Sequence, residues 1–235
     1  MAASPSCKLY VDPLSQPSRA LMLFCRVNAL KVEEVTVKLR ALEQQSDAYK
    51  GVNPLAKVPA LQEPDGFVLP ESCAILRYLC NSRSTADHWY PVRPRGRARV
   101  DAALDWHHST LRRGAATLVF LRFFRNVTAP AETDRALKQA LFFLKPALAQ
   151  LDTFWLGDKP FIGGHSLSIA DLVLACEVSQ LELLDAGTVP PSMRDLLAPH
   201  ARVRLWLEAV RGATQPHWDE VHGALKAAAA ARAKL

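Results

Sequence analysis

Residues 8–39 read KLYVDPLSQPSRALMLFCRVNALKVEEVTVKL, and this stretch decides the fold of the first part of the chain. Lys8–Asp12 is short and mostly apolar and predicts a strand. Two prolines then interrupt the pattern, and Ser18–Leu30 has apolar residues at helical spacing. Val32–Leu39 is rich in valine and alternates in polarity, which predicts a second strand. A helix between two strands predicts a β-α-β unit with parallel strands.

The next forty residues extend this unit into a small mixed sheet. Ala41–Lys50 predicts a short polar helix. Val58–Leu61 and Phe67–Leu69 are apolar runs separated by Pro64-Asp65-Gly66, a strong turn signal, so the pair predicts an antiparallel hairpin. Glu71–Asn81 has helical spacing again. Residues 1–84 are therefore predicted to form one α/β domain.

The rest of the chain has only helical patterns. Residues 82–95 hold serine, threonine, aspartate and prolines, which is typical of a connection between domains, and we expect a linker over 85–95. Residues 96–235 are predicted to form an all-α domain. The helical patterns cover residues 94–124, 132–155, 168–184, 193–197, 202–212 and 217–231.

Composition excludes several classes of protein. The 235 residues are 49% hydrophobic and 22% charged with a net charge of +6, as in an ordinary globular protein. No apolar run reaches the length of a membrane span, the N-terminus does not look like a secretory signal, and no charge block suggests a nucleic-acid arm. The histidines are scattered and no CxxC pair occurs, so we expect no metal site and five reduced cysteines.

Three polar groups stand where loops meet strands or helices. Ser15 lies before the first helix, where its hydroxyl either caps the helix or faces an anion held by the helix N-terminus. Val58 precedes Pro59 at a strand start, and it either begins an edge strand or offers its backbone to an extended peptide ligand. Glu71 and Ser72 open a helix, where they either cap it or suit an ammonium and a carboxylate.

Several stretches together resemble theta-class glutathione transferases, and plant members in particular. The longest are Tyr10–Ala20, Asn53–Leu61 and Glu71–Leu79, and shorter matches follow at residues 88–91, 97–101, 106–107 and 168–172. The resemblance implies a thioredoxin-like N-terminal domain, an all-helical C-terminal domain that forms the electrophile pocket, and a homodimer. It implies glutathione as co-substrate and no permanently bound cofactor.

The resemblance also implies roles for individual residues. Ser15 would donate a hydrogen bond to the glutathione thiolate. Lys57 would contact the glycine carboxylate of glutathione, and Val58 would pair through its backbone with the cysteinyl unit, with Pro59 in the cis form. Glu71 and Ser72 would bind the γ-glutamyl end.

Other positions are candidates for glutathione contacts, for the electrophile pocket and for a helix cap. Gln44 and Gln45 stand where the family often supplies glutathione contacts, commonly with histidine or lysine. Arg112 is a candidate for the electrophile pocket, the alternative being a solvated helix face. Ser168 and Asp171 would form the family's capping motif at a helix start.

The expected function is conjugation of glutathione to electrophiles, reduction of organic hydroperoxides, or both, as in detoxification. One alternative is a glutathione-binding or protein-interaction module without catalysis. Another is a thiol–disulfide oxidoreductase, which would need a cysteine near residue 15. The chain ends in Ala233-Lys234-Leu235, which resembles a peroxisomal address. We therefore expect a cytoplasmic protein, with peroxisomal import through this tripeptide as the alternative.

Overall fold

The computed structural model describes residues 7–125, 128, 134–185 and 190–232. The predicted address at residues 233–235 lies outside them. The N-terminal part holds a four-stranded sheet with strand order β2-β1-β3-β4. The strands are β1 (Cys7–Val11), β2 (Val32–Thr36), β3 (Ala60–Gln62) and β4 (Val68–Pro70), and the helices are α1 (Gln16–Val27), α2 (Asp47–Lys50) and α3 (Ser72–Ser82).

The sheet has the predicted mixture of directions. β1 pairs with β2 in parallel and with β3 antiparallel, and β3 pairs antiparallel with β4. Cys7, Leu9 and Val11 of β1 are buried, while Lys8 is exposed and Tyr10 is half-buried, so the alternation of side chains fixes which face of the strand meets the core. The thioredoxin-like arrangement predicted from the sequence is thus confirmed.

Several element ends differ from the prediction. Strand β3 begins at Ala60 rather than Val58, and α1 ends at Val27 rather than Leu30. Of the predicted helix Ala41–Lys50 only Asp47–Lys50 is α-helical, and the turn Glu43–Gln45 before it is 3₁₀.

Two further differences lie beside the first loop. Helix α1 begins at Gln16, two residues early, because Pro17 in the first turn needs no hydrogen-bond acceptor for its backbone nitrogen. Strand β2 ends at Thr36, because the N–H of Leu39 turns to the carboxylate of Asp12 at 2.8 Å. That bond draws the β2–α2 connection towards the loop before α1.

The part of the second domain that the structure describes is helical. The helices are α4 (Pro94–Trp106), α5 (Arg112–Val119), α6 (Arg135–Gln150), α7 (Ile169–Ser179), α8 (Glu182–Asp185), α9 (Met193–Leu197), α10 (Ala201–Ala213) and α11 (His217–Arg232). Helix α4 continues through a π turn at His107–Leu111, α5 through one at Phe120–Phe124 and α6 through one at Leu151–Leu156. The prediction of uninterrupted helices missed these turns. The domain boundaries remain a prediction.

Helix α7 is the centre of the second domain. All of its residues are buried, and it packs against both α1 and α4. At its start the carboxylate of Asp171 accepts hydrogen bonds from the N–H and hydroxyl of Ser168 at 2.8 and 2.7 Å, which makes the predicted capping motif. Asp171 also accepts from the N–H of Ile162 and from the indole of Trp206. α7 therefore has a fixed start and presents one face to the N-terminal domain.

No helix among the described residues is long and apolar enough to cross a membrane.

Candidate active site

Two adjoining cavities lie where α1, α3, α5 and α7 meet. The larger has a volume of about 570 Å³ and the second about 440 Å³, which is the usual size of small-molecule sites. Lys57, Val58 and Arg112 line both, as does Pro17. Glu71 and Ser72 line only the larger cavity, and Ser15 and Gln44 only the second. One continuous site therefore holds most of the predicted residues.

Gln45 is the exception among the predicted residues. Its side chain is exposed and it lines neither cavity, although its neighbour Gln44 lines the second. Both glutamines belong to the 3₁₀ turn Glu43–Gln45, where adjacent residues are about 120° apart around the axis, so their side chains leave the turn on different sides. The role of Gln45 stays a prediction that the geometry does not support.

Ser15 stands at the N-cap of α1 but does not cap it. Its backbone is extended (φ −84°, ψ 122°), its N–H donates to the carbonyl of Asp12 at 2.9 Å, and it is 9% exposed. Its hydroxyl makes no hydrogen bond with any residue that the structure describes. The helix N-terminus thus adds a free hydroxyl and unpaired N–H groups to the cavity wall, an arrangement that suits an anion.

The segment around Val58 is shaped to receive an extended ligand. The Val58–Pro59 peptide bond is cis, as the resemblance implied. The carbonyl of Lys57 is already engaged by the hydroxyl of Tyr49 at 2.7 Å and by Nδ2 of Asn53 at 2.8 Å. Within the described residues no hydrogen bond reaches the N–H or carbonyl of Val58. Both groups remain free to pair with the main chain of a peptide.

Asn53 fixes this segment and was not predicted as a site residue. It is 1% exposed, donates to the carbonyl of Lys57 and accepts from the N–H of Leu55 at 3.1 Å. The Asn53-Pro54 pair was a visible turn signal in the sequence. The pair predicts a turn, but it does not predict the hydrogen bond from the Asn53 side chain to the carbonyl of Lys57.

Glu71 occupies the N-cap of α3 in a strained conformation. Its φ of 70° lies in the left-handed region, which costs a non-glycine residue about 1–3 kcal/mol. Its side chain makes no cap hydrogen bond. The strained turn leaves the carboxylate on the wall of the larger cavity beside Ser72. Backbone strain of this kind concentrates at ligand sites, and the helix cap that was the alternative for this side chain is not formed. The binding role of Glu71 stays a prediction.

Arg112 projects from α5 between the two cavities. Its Nη1 lies 2.7 Å from Oε2 of Glu177, a carboxylate of α7 that is fully buried. The same carboxylate contacts Nε2 of His107 at 3.1 Å and accepts from the amide of Gln16 at 3.2 Å. Burial alone would raise the pKa of Glu177, but the charge of Arg112 and the contact with His107 outweigh it and lower that pKa to about 2. Glu177 is therefore a carboxylate, and the alternative of a solvated helix face for Arg112 is wrong.

The second cavity has an apolar wall with cations at its edge. The apolar wall comes from Leu14, Leu39, Ala116, Val119, Phe120 and Phe124. The guanidinium of Arg40 lies 5.8 Å from the ring centre of Phe124. An apolar ligand beside Ser15 would fit this wall, and its polar end would meet Arg40 or Arg112.

The cysteines do not contribute a reactive thiol. All five are free. Burial raises the pKa of each, to about 12 for Cys25, Cys80 and Cys176. A thiol–disulfide oxidoreductase needs a thiol with a lowered pKa, so the structure argues against that alternative. Among the described residues no group of three or more side chains could hold a metal ion.

Comparison with known proteins places this geometry in a family. Residues 6–81 match the family model described as the N-terminal domain of glutathione S-transferase. Glutathione S-transferase T1 of Arabidopsis thaliana is 43% identical over 219 residues, which cover 92% of this chain and 87% of that protein. Glutathione S-transferase T3 of the same plant is 43% identical over 222 residues, but the chain spans only 37% of its length.

Solved structures agree with these relatives. Human glutathione transferase theta-2, in complex with glutathione and an unknown ligand, superposes with a TM-score of 0.84. The match covers 97% of this chain and 91% of that one, at 31% sequence identity.

Proposed function

Since the chain belongs to the glutathione S-transferase family, we propose that it binds glutathione in the larger cavity and ionises its thiol with the hydroxyl of Ser15. The thiolate then attacks a small apolar electrophile held in the second cavity. The observation that carries this proposal is the Ser15 hydroxyl, which stands at the N-terminus of α1, beside the junction of the two cavities, without a partner among the described residues.

The walls of the larger cavity support one orientation of glutathione. The free N–H and carbonyl of Val58 pair with the cysteinyl unit, which brings its thiol towards Ser15. The ammonium of Lys57 binds the glycine carboxylate. At the other end Glu71 binds the γ-glutamyl ammonium, and Ser72 binds the neighbouring carboxylate at the start of α3. Charge complementarity fixes both ends of the tripeptide.

The energetics suffice for thiol activation without a general base. Lowering the pKa of a thiol by about two units requires about 2.7 kcal/mol of thiolate stabilisation. A hydrogen bond from a hydroxyl to a charged group supplies about 1.5–3 kcal/mol. The N-terminus of α1 adds about 0.3–1 kcal/mol. A serine in this position can therefore keep a large fraction of bound glutathione ionised near neutral pH.

Two reactions share this thiolate. Attack on an alkyl halide forms a thioether and releases the halide ion. Attack on the distal oxygen of an organic hydroperoxide releases the alcohol and leaves glutathione sulfenic acid, which a second glutathione reduces to the disulfide and water. The apolar wall of the second cavity supports both substrates, and Arg112 at the junction suits the negative charge that each leaving group develops.

The proposal is tested with the full chain and glutathione. Calorimetry measures glutathione binding, and turnover is measured with an alkyl halide and with an organic hydroperoxide. We expect binding and glutathione-dependent turnover of at least one substrate. Binding without turnover of either would favour the non-catalytic module, and absence of binding would contradict the proposal altogether.

The assembly and location expected from the resemblance are part of the same proposal. We propose a homodimer, which light scattering on the purified chain tests directly. We also propose that Ala233-Lys234-Leu235 directs some of the protein to peroxisomes. Imaging of a chain tagged at its N-terminus, with and without that tripeptide, tests the second point.

A further inference from the structure

Both residues that flank Ser15 are hydrogen-bonded to one helix of the other domain. The carbonyl of Leu14 accepts from Nε2 of Gln180 at 3.2 Å. The amide Nε2 of Gln16 donates to Oε1 of Glu177, also at 3.2 Å. Glu177 belongs to α7 and Gln180 is its C-cap, three residues on, so the two side chains lie on one face of that helix.

A buried arginine extends the contact of Gln180. Oε1 of Gln180 accepts from Nη2 of Arg19, which also donates to the carbonyl of Cys176 at 3.2 Å. The other terminal nitrogen of Arg19 donates to the carbonyl of Pro13 at 3.0 Å. Arg19 is 0% exposed, and no carboxylate in the described part of the chain forms an ion pair with it.

Burying these polar groups between the two domains has an unfavourable desolvation free energy. A buried guanidinium without a carboxylate loses its hydration, and apolar side chains of similar volume commonly stabilise such positions as well or better. Unlike apolar side chains, these polar groups orient the backbone. They hold the carbonyls of two consecutive residues, Pro13 and Leu14, immediately before Ser15. On the other side, the N–H of Leu14 is held by the carboxylate of Asp12 at 2.8 Å.

We propose that Gln180 and Glu177 are positioning residues that hold the Ser15 loop so that its hydroxyl points at the glutathione sulfur. The helical domain then does more than bind the electrophile, since it sets the geometry of thiol activation in the other domain. This inference rests on the proposed function of Ser15. Its physical basis is that a hydrogen bond weakens steeply when the donor turns away from the acceptor.

The test uses neutral variants, so that no new charge acts on the thiolate. Gln180→Met keeps the length of the side chain but removes the donor to Leu14. Gln16→Met removes the donor to Glu177 from a half-buried position, and it serves if Gln180→Met folds poorly. Gln150→Met is the matched control, because Gln150 is exposed on α6 and its amide oxygen contacts only the indole of Trp106.

All three variants leave the charged groups around the Ser15 cavity unchanged. These groups are Asp12, Arg40, Lys57 and Arg112. A shift in the ionisation of bound glutathione therefore reports the geometry of Ser15 rather than the local field.

The probe is glutathione, whose bound thiolate is followed by its ultraviolet absorbance as the pH is varied. For Gln180→Met we expect ionisation to move about one pH unit higher and kcat near neutral pH to fall about tenfold. The KM for glutathione stays within about threefold, because the side chains in direct contact with it remain. Gln16→Met moves the same way by less, and Gln150→Met matches the wild type.

A merely structural role predicts something else, namely a lower Tm with unchanged ionisation and unchanged kcat per folded molecule. The positioning role is overturned if both Gln180→Met and Gln16→Met give that result. The proposed function survives this result if the wild type ionises bound glutathione and Ser15→Ala does not. A wild type that leaves bound glutathione un-ionised overturns the proposed function, and the positioning role with it.

Discussion

The guanidinium of Arg112 and the carboxylate of Glu177 are 2.7 Å apart and form an ion pair at the boundary between the two cavities. The carboxylate is fully buried, whereas the arginine side chain is 31% exposed. The pair therefore orients a cation that solvent, or a ligand in either cavity, can still reach. It also joins the second cavity to α7, the helix whose Glu177 accepts a hydrogen bond from Gln16, the residue after Ser15.

Replacing Arg112 with methionine tests this relationship. The change leaves the Glu177 carboxylate with only His107 and Gln16, so we expect a loss of about 1–3 kcal/mol in the free energy of unfolding. The loss stays below the roughly 3–5 kcal/mol of a fully buried pair because Arg112 is partly solvated. Urea unfolding measures it.

A double-mutant cycle supplies the control for that prediction. Glu177→Gln in the Arg112→Met background should cost less than in the wild type, with a coupling of about 1–2 kcal/mol between the two sites. Additive losses would show that the ion pair contributes nothing.

A buried histidine predicts a separate dependence of stability on pH. His222 is 1% exposed, and its ring contacts the carbonyl of Trp218 and the hydroxyl of Ser179. Burial, followed by the nearby charge of Arg19, lowers the pKa of His222 to about 3. In the unfolded chain the same group has a pKa of about 6.5.

Between these pKa values the unfolded state binds a proton that the folded state does not, so stability falls as the pH drops below about 6.5. We expect His222 to contribute a slope of up to about 1.4 kcal/mol per pH unit between pH 6.5 and 4.5. Urea unfolding at several pH values should show that slope reduced in His222→Gln and retained in His165→Gln, where the side chain is exposed. An equal slope in His222→Gln and the wild type would refute this assignment.

Lys57→Met tests the anchor for the glycine carboxylate. Its side chain is exposed, so the fold should survive, while the loss of one charge-assisted hydrogen bond should raise the KM for glutathione about 10- to 100-fold. We expect a smaller change in kcat, because in the proposed orientation Lys57 binds one end of glutathione, away from the thiol. Lys50→Met, an exposed lysine at the end of α2, controls for charge. Equal KM values in the two variants would remove Lys57 from the site.

Much of the N-terminal domain was predictable because its signals are local. The alternation in Val32–Leu39 gave a strand, Pro64-Asp65-Gly66 gave the turn of a hairpin, and the apolar spacing after Ser18 gave a helix. Each depends on residues only a few positions apart. The sheet order then follows from the short connections between these elements.

In the helical domain, local sequence patterns did not predict every helix end or interruption. The spacing over residues 94–124 gave one helix, but not the π turns at His107–Leu111 and Phe120–Phe124, because a one-residue bulge hardly alters apolar periodicity. The sequence also predicted a single helix over residues 168–184. The structure ends α7 at Ser179 and begins α8 at Glu182.

The site was partly predictable for the same reason. The sequence marked Ser15 and Glu71 as residues at helix starts, but only the structure shows that neither side chain makes a cap hydrogen bond. Glu177 and Gln180 were missed, since they reach Gln16 and Leu14 across 161 and 166 residues. No local pattern distinguishes a buried glutamate that orients an arginine from one that simply ends a helix.

Ser15→Ala carries the central claim. The hydroxyl makes no hydrogen bond within the described structure, so its removal should change the free energy of unfolding by less than about 1 kcal/mol. Loss of its hydrogen bond to the thiolate, about 1.5–3 kcal/mol, should raise the pKa of bound glutathione by about one to two units and lower kcat about 10- to 100-fold.

The most direct measurement is therefore the ultraviolet titration of the bound glutathione thiol in the wild type and in Ser15→Ala, side by side. Activation of the thiol by Ser15 predicts a thiol ionised near neutral pH in the wild type and one whose pKa returns towards that of free glutathione in the variant. A folded Ser15→Ala protein that binds glutathione and ionises it as the wild type does would contradict it.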